Sequence, residues 1–272
     1  MTRGHCYIGT SGWSYPHWAK GRFYPRGLKP GDWLGFLAEH FNTVEVNSSF
    51  YRLPRPELIA RWREVTGRRF RFAVKLWRRI THEKRLAGCG SELRDFLGVA
   101  RELGPKRGPL LVQLPPSLRK DVELLAEFLD TLKDVSCAAG AGVSSRSGRW
   151  RFAVEFRSHD WLCDEVYELL SWHSAAVCLA DLPRCPVTRP NVAPASERTG
   201  ARASAGTRFV YIRRHGPGGR YRGCYSPEQI AADATAIGGW LASGYDVYVY
   251  YNNDIDGHAV DNARQLMAAV GV

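Results

Sequence analysis

Long apolar runs are missing from this 272-residue sequence. None approaches the ~18 apolar residues that a membrane-spanning helix needs, and no charged-then-apolar leader opens the chain. The expectation is a cytoplasmic protein with no membrane contact. Paired C-x-x-C motifs are missing too, since the seven cysteines (Cys6, Cys89, Cys137, Cys163, Cys178, Cys185 and Cys224) are odd in number and scattered. That pattern argues against a disulfide framework or a zinc ribbon and for reduced thiols. No repeat at solenoid spacing and no linker interrupts the chain, so one domain over residues 1–272 is the economical reading. Lysine is scarce. Only 7 of the 38 basic residues are lysine, and 31 arginines dominate a net charge of +11. A basic surface admits a nucleic-acid partner, but the arginines are spread along the chain. They concentrate only at Arg61, Arg63, Arg68, Arg69 and Arg71 and at Arg78 and Arg79, so solvated surface is the competing reading.

What the sequence does contain is alternation. Thr43, Glu45 and Asn47 are polar where Val44 and Val46 are apolar, and the same period of two sets Ala73 and Lys75 against Phe72 and Val74. It recurs as Ala153, Glu155 and Arg157 against Val154 and Phe156, and as Tyr211, Arg213 and His215 against Val210 and Ile212. Strands begin near Tyr7, Thr43, Phe70, Leu110, Phe152, Ala176, Phe209 and Val247, and most are followed by a helical pattern. Such alternation implies parallel strands joined by right-handed crossovers. Helix starts are marked by Asp32, Pro56, Ser91, Asp121, Ser226 with Pro227, and Gly257, and helix ends by Gly104 and Gly244. The fifth helix, Asp164 to Trp172, is short. The sixth has no pattern at all: Pro183 to Thr207 reads as a long loop in its place, and Ala138 to Gly148 as a second loop. The fold class is therefore α/β, a (β/α)8 barrel of the TIM type.

In such a barrel, chemistry sits at the C-terminal ends of the strands. Those ends supply Thr10 and Ser11, Glu45 and Asn47, Lys75, Gln113, Glu155 and Arg157, Asp181, Arg213 and His215, and Tyr250, Asn252 and Asn253. Burying one charge costs several kcal/mol unless it is paired, so about six ionisable groups converging at one end point to a site. Glu45 and Glu155 are the candidate acid and base, or else permanent partners of Lys75 and Arg157. Lys75 is a Schiff-base nucleophile if desolvated, and an anion binder or ion-pair partner if it lies among carboxylates. Arg157 and Arg213 have the planar forks that suit phosphate or carboxylate. Asn47, Asp181, His215, Tyr250, Asn252 and Asn253 complete the expected substrate contacts. No cofactor is required. A divalent metal is conceivable through Glu45, Glu155, Asp181 and His215, although no H-x-H or H-E-x-x-H spacing supports it. The run Asn252 to His258 begins like a calcium loop, but Ala263 stands where the closing glutamate belongs. Thr81 to Lys84 reads as a flap. Trp13, Phe50 and Tyr51, just beyond strand ends, either stack on a ligand or plug the barrel top.

Several motifs also carry a family resemblance. Tyr7-Ile8-Gly9-Thr10-Ser11-Gly12-Trp13, the run Thr43 to Tyr51, Thr81-His82, Glu155-Phe156-Arg157 before Trp161, Arg213 to Gly216, Asn252-Asn253, Gly257-His258-Ala259 and Asn262-Ala263 resemble the YecE-like family, domain of unknown function 72. The resemblance implies a TIM-type barrel and brings no reaction with it, and the segment Pro183 to Thr207 departs from it. The functional expectation is a hydrolase or lyase acting on a polar anionic substrate, such as a phosphorylated sugar or nucleotide-like molecule. The alternatives are a nucleic-acid-processing or nucleic-acid-binding protein and a non-catalytic barrel that binds a ligand or partner.

Overall fold

Period-two strands must bury both faces once they are covered outside by helices and closed on themselves inside, and this chain does so. A computed structural model describes residues 2–139, 150–192 and 207–272. Its strands are β1 (Cys6–Ser11), β2 (Thr43–Val46), β3 (Arg71–Lys75), β4 (Arg107–Gln113), β5 (Phe152–Glu155), β6 (Ala176–Leu182), β7 (Cys185–Val187), β8 (Phe209–Arg214) and β9 (Asp246–Tyr251). All except β7 pair in parallel, from β5 through β4, β3, β2, β1, β9 and β8 to β6, and β5–β6 pairing closes the ring of eight. Around it lie α1 (Trp33–His40), the single turn α2 (Ser48–Tyr51), α3 (Pro56–Glu64), α4 (Gly90–Ala100), α5 (Val122–Ala139), α6 (Asp164–Trp172), α7 (Pro227–Ala242) and α8 (His258–Val270).

The alternation sorts side chains as anticipated. Val44, Val46, Phe72, Val74, Val154, Phe156, Val210 and Ile212 join the core shared with the helices. Ala73, Leu111, Ala153, Ala176, Cys178, Phe209, Tyr211, Tyr248 and Tyr250 instead fill the lumen, with Tyr7 stacked on Tyr248 at 4.6 Å. The lower half of the barrel is thus a packed interior and not a channel. Polar groups are left to the upper end.

Capping chemistry explains several helix starts. Ser226 and Gln229 form a reciprocal capping box on α7, and the Asp121 carboxylate accepts from the Leu124 backbone N–H at the start of α5. Gly257, at φ 78°, turns the chain into α8. Two expected caps differ. Helix α4 begins at Gly90, ahead of Ser91, whose hydroxyl turns to the neighbouring Glu92, and Asp32 precedes α1 without a side-chain cap. Strand β4 starts at Arg107, earlier than Leu110, because Arg-Gly-Pro looks like a turn in sequence. In the fold, Gly108 lets β3 approach: a β-carbon there would stand 2.9 Å from the Phe72 carbonyl oxygen.

The segment after β6 is also more ordered than a loop. Residues 185–187 return antiparallel along β6, pairing Ala180 with Val187 and Leu182 with Cys185. A three-residue strand is too short for alternation to reveal. Asn191 then pins the chain, accepting from Val177 N–H and donating to the Ala175 carbonyl, both at 2.8 Å. Between β6 and β8 no helix occurs among the described residues; residues 193–206 lie outside them, as do residues 140–149 of the second expected loop. Thr81 and His82 fall in a π-helical turn, Arg79–Glu83, that continues from β3. All seven cysteines are free, and no helix of the described residues is long and apolar enough to cross a membrane.

One glycine is demanded by the barrel itself. A β-carbon at Gly9 would lie 2.1 Å from the Thr43 carbonyl oxygen of the paired strand, and neither backbone can yield. Gly9→Ala is expected to cost about 3 kcal/mol or more, against about 1 kcal/mol for removing the α7 cap in Ser226→Ala. Denaturant unfolding of the two variants checks the order, and equal losses would show that β1 and β2 can separate there.

Candidate active site

Register brings the strand-end residues to one level, with Ser11 beside Glu45 and Gln113 beside Glu155. Between them stands Arg213 of β8, 1% exposed. Its Nη2 donates to Glu45 Oε1 at 2.9 Å and its Nη1 to Glu155 Oε2 at 2.6 Å, so one guanidinium bridges two carboxylates from opposite sides of the ring. Glu45 also accepts from the Ser11 hydroxyl and, at 2.6 Å, from the Tyr211 hydroxyl. Glu155 accepts from Arg157 Nε, and the Cys178 thiol points at it from 3.9 Å. Burial alone would raise the Glu155 carboxyl, but Arg157 and Arg213 overcome it and hold the group well below the usual carboxylate range. Two acids and two guanidiniums thereby form a neutral buried quartet. Its desolvation cost is offset because the hydrogen-bonding atoms of both carboxylates are occupied.

Above the quartet opens a cavity of about 480 Å³. Its floor and one wall carry Lys75, Gln113, Arg157, Arg213, Asn47 and Asn252, while Trp13, Tyr15, Tyr51 and Tyr221 supply aromatic surface. Tyr51 stands 70% exposed at the rim. Neither Glu45 nor Glu155 lines the cavity, which corrects their placement as acid and base facing a substrate. Their oxygens are consumed by donors that the sequence does not show converging, and they serve as counter-ions beneath the floor.

Lys75 occupies the opposite situation. The Ser49 hydroxyl of α2 shares its proton between the Lys75 and Val46 carbonyls, at 2.7 and 2.8 Å, which fixes the end of β3. The same turn puts Phe50 under the lysine, with Nζ 3.9 Å from the ring centroid. No carboxylate pairs with this ammonium among the described residues. Desolvation, with Arg213 and Arg157 adding repulsion, lowers its pKa to about 7 despite the attraction of Glu155 and Glu45. His82 packs its ring on the edge of Phe50 at 4.9 Å, and burial together with Lys75, Arg78 and Arg157 pushes it down to about 4, so it faces the lysine uncharged. The expected flap residue is part of the lysine's seat.

The remaining residues divide. Asn47 and Asn252 reach the cavity, and the Asn47 Oδ1 atom is buried with no hydrogen-bond partner among the described residues. His215 lies fully buried beside the floor. Its Nδ1 is 3.2 Å from Asn252 Nδ2, and its Nε2 lies 3.8 Å from Glu155, beyond hydrogen-bond reach. Burial lowers its pKa, only partly offset by Glu155. Counting His215, four expected substrate contacts do not line the cavity. Asp181 accepts from His215 N–H at 2.8 Å and from the Tyr225 hydroxyl, Tyr250 bonds Thr43 in the lumen at 2.8 Å, and Asn253 donates to Gly223 and Asn262 in the loop before α8. With Asp181 drawn aside, the four candidate metal ligands do not converge, and no group of three or more His, Cys, Asp or Glu side chains among the described residues is arranged to hold an ion. Tyr221 was not foreseeable: it lies in an irregular turn after β8, where its hydroxyl accepts from Arg157 Nη1 at 3.1 Å.

Two stability tests follow. Glu155→Gln takes the carboxylate partner from Arg157 and leaves Arg213 with Glu45 alone, and is expected to cost about 3 kcal/mol near neutral pH. Because folding depresses the Glu155 pKa, its contribution is complete above the unfolded value of about 4.3 and fades as pH falls toward the folded one. The gap between wild type and variant in urea melts should therefore shrink below about pH 4; a gap independent of pH would contradict the ion pairing. Lys75→Met should instead raise Tm below pH 7, since the folded state disfavours the charged amine, with the gain fading as pH rises from 7 toward 10. An unchanged or lower Tm at pH 6 would show the amine to be well solvated.

The family model described as "Protein of unknown function DUF72" matches residues 7–272. UPF0759 protein YecE of Escherichia coli K12 is 37% identical over 127 residues, a stretch covering 46% of this chain and 44% of that protein, so the match spans less than half of the relative's length. UPF0759 protein YunF of Bacillus subtilis is 24% identical over 98% of this chain and 95% of its own length. Among solved structures, a DUF72 family protein from Thermotoga maritima superimposes with a TM-score of 0.71 at 24% identity, over 98% of this chain and all of the other. At that identity the likeness establishes the barrel and leaves the chemistry to the site.

Proposed function

This chain belongs to the DUF72 family, and we propose that it is an enzyme acting on a small polar anion at the mouth of the barrel, with Lys75 as the reactive group. The observation that carries this reading is the desolvated amine of Lys75 lining the cavity near two guanidiniums, with no carboxylate partner among the described residues. A structural cation is held by acceptors, as Arg213 is by two carboxylates and Lys106 by the Arg63 and Thr66 carbonyls, whereas Lys75 Nζ donates to no acceptor among the described residues. A group that changes protonation near neutral pH suits proton transfer or nucleophilic attack. The anion is drawn by positive charge, and Arg157 is the guanidinium placed to meet it. One of its nitrogens is tied to Glu155 and another to Tyr221, while the residue lines the cavity. Asn47, Gln113 and Asn252 orient hydroxyl or carbonyl groups, and the aromatic wall covers an apolar or ring portion. Lyase or hydrolase chemistry, run by the lysine and not by the two glutamates, is the reaction type that fits.

A panel of small phosphorylated and carboxylated compounds tests this by thermal shift and by turnover. True ligands are expected to raise Tm in proportion to the logarithm of concentration. Arg157→Ala should weaken that binding at least about tenfold, and Lys75→Met should abolish turnover while the anion still binds. If no anion stabilises the protein and single-stranded oligonucleotides do so with steep salt dependence, the reading fails in favour of nucleic-acid binding.

A further inference from the structure

The structure points to a covalent role for Lys75, and we propose that its amine attacks the carbonyl carbon of an anionic aldehyde or ketone to form an imine. The inference rests on the anion-binding reading above and narrows its substrate to phosphorylated or carboxylated carbonyl compounds.

The geometry singles out this side chain. Ser14 and Ser48 also line the cavity, but neither hydroxyl is hydrogen-bonded to a base among the described residues. Cys178 is buried below the floor with its thiol directed at Glu155, and burial raises it well above the usual thiol range. Guanidiniums are not nucleophiles at any relevant pH. Lys75 reaches the cavity from a strand end whose backbone is held by Ser49, and its Nζ rests on an aromatic face that cannot take its proton. The charged and titratable groups around it are Arg213, Arg157, Glu155, Glu45 and His82. Glu155 and Glu45 are engaged by Arg213, so neither pairs with the amine to hold it protonated. Its pKa of about 7 leaves about half the amine neutral at pH 7, whereas an exposed lysine near 10.4 is neutral in well under about 1% of molecules.

In the step itself, the nitrogen lone pair forms the N–C bond and the carbonyl oxygen leaves as water, taking two protons from the amine, so no oxidant or co-reactant is needed. Hydrolysis by water restores the lysine and the carbonyl. The imine nitrogen, once protonated, is an electron sink for a bond broken at the adjacent carbon. An imine-forming amine thus suits the lyase alternative better than simple hydrolysis, for which a hydroxyl would serve. Arg157, which lines the same cavity, holds the phosphate or carboxylate that orients the carbonyl toward Nζ.

Pyridoxal 5′-phosphate, an aldehyde bearing a phosphate, is a suitable probe, with borohydride to trap the imine and peptide mass mapping to place it. The seven lysines make the map simple. Trapping at Lys75 is expected at least about tenfold faster at pH 7 than at exposed Lys20 or Lys29. It should rise with pH through about 7, be lost in Lys75→Arg and be suppressed by inorganic phosphate. A circular dichroism melt of Lys75→Arg verifies that the variant is folded. Labelling spread evenly over surface lysines, or unchanged in Lys75→Arg, would overturn the proposal. If phosphate raises Tm but no imine is trapped at Lys75, the covalent role fails and the anion site stands. If the imine forms without competition by phosphate, the lysine chemistry stands and the anion-binding reading fails.

Discussion

Everything at the working end of this barrel depends on Arg213 bridging Glu45 and Glu155. Closing eight strands forces their inward side chains into a volume with almost no water, where an isolated charge costs several kcal/mol. The chain meets that constraint by supplying both signs from different strands, with Ser11, Tyr211, Cys178 and Arg157 occupying further positions on the carboxylates. The quartet is neutral and largely satisfied. It therefore forms a polar floor that can stand beside unbalanced charge without collapsing.

That unbalanced charge is the point of the arrangement. Had either glutamate been free to turn upward, Lys75 would find a partner and remain an ammonium. Because both are held by guanidiniums, the lysine sees desolvation and positive neighbours first, and its attraction to the acids arrives already countered. The face of Phe50 attracts a cation but supplies no countercharge, and the neutral ring of His82 adds none, so desolvation and the arginines prevail. A buried structural network thus sets the protonation state of a group that is not part of it. The coupling is electrostatic and acts across the strand ends, with no moving part.

The barrel was legible because period two and strand–helix alternation are local signals that many residues repeat. Val44 and Val46 against Glu45, or Val210 and Ile212 against Tyr211 and Arg213, declare their faces without any neighbour. The level of the site was equally legible, since strand ends are fixed once strands are found. What a sequence cannot display is which charges meet. Glu45 and Arg213 are distant along the chain, and their pairing follows from closure of the barrel; of the two readings open for the glutamates, acid and base or ion-pair partners, the geometry favours pairing, with Arg157 as anticipated and Arg213 in place of Lys75. Tyr250 and Asn253 flank the cavity residue Asn252 closely and Asp181 lies near the end of β6, yet bonds to distant parts of the chain, at Thr43, at Gly223 and at His215 and Tyr225, take them aside. The short strand β7 escaped because three residues hold too little pattern, and Tyr221 because irregular turns obey no period.

The most direct measurement of the central claim is the titration of Lys75 itself. With lysine side chains isotopically labelled and the Lys75→Arg variant used for assignment, heteronuclear NMR reads the midpoint of each of the seven amines. One resonance, missing from the variant, should titrate near pH 7 while exposed lysines titrate near about 10.4. A Lys75 midpoint at or above 10 would mean that the quartet does not shield it from its carboxylates, and the account of the site would be wrong.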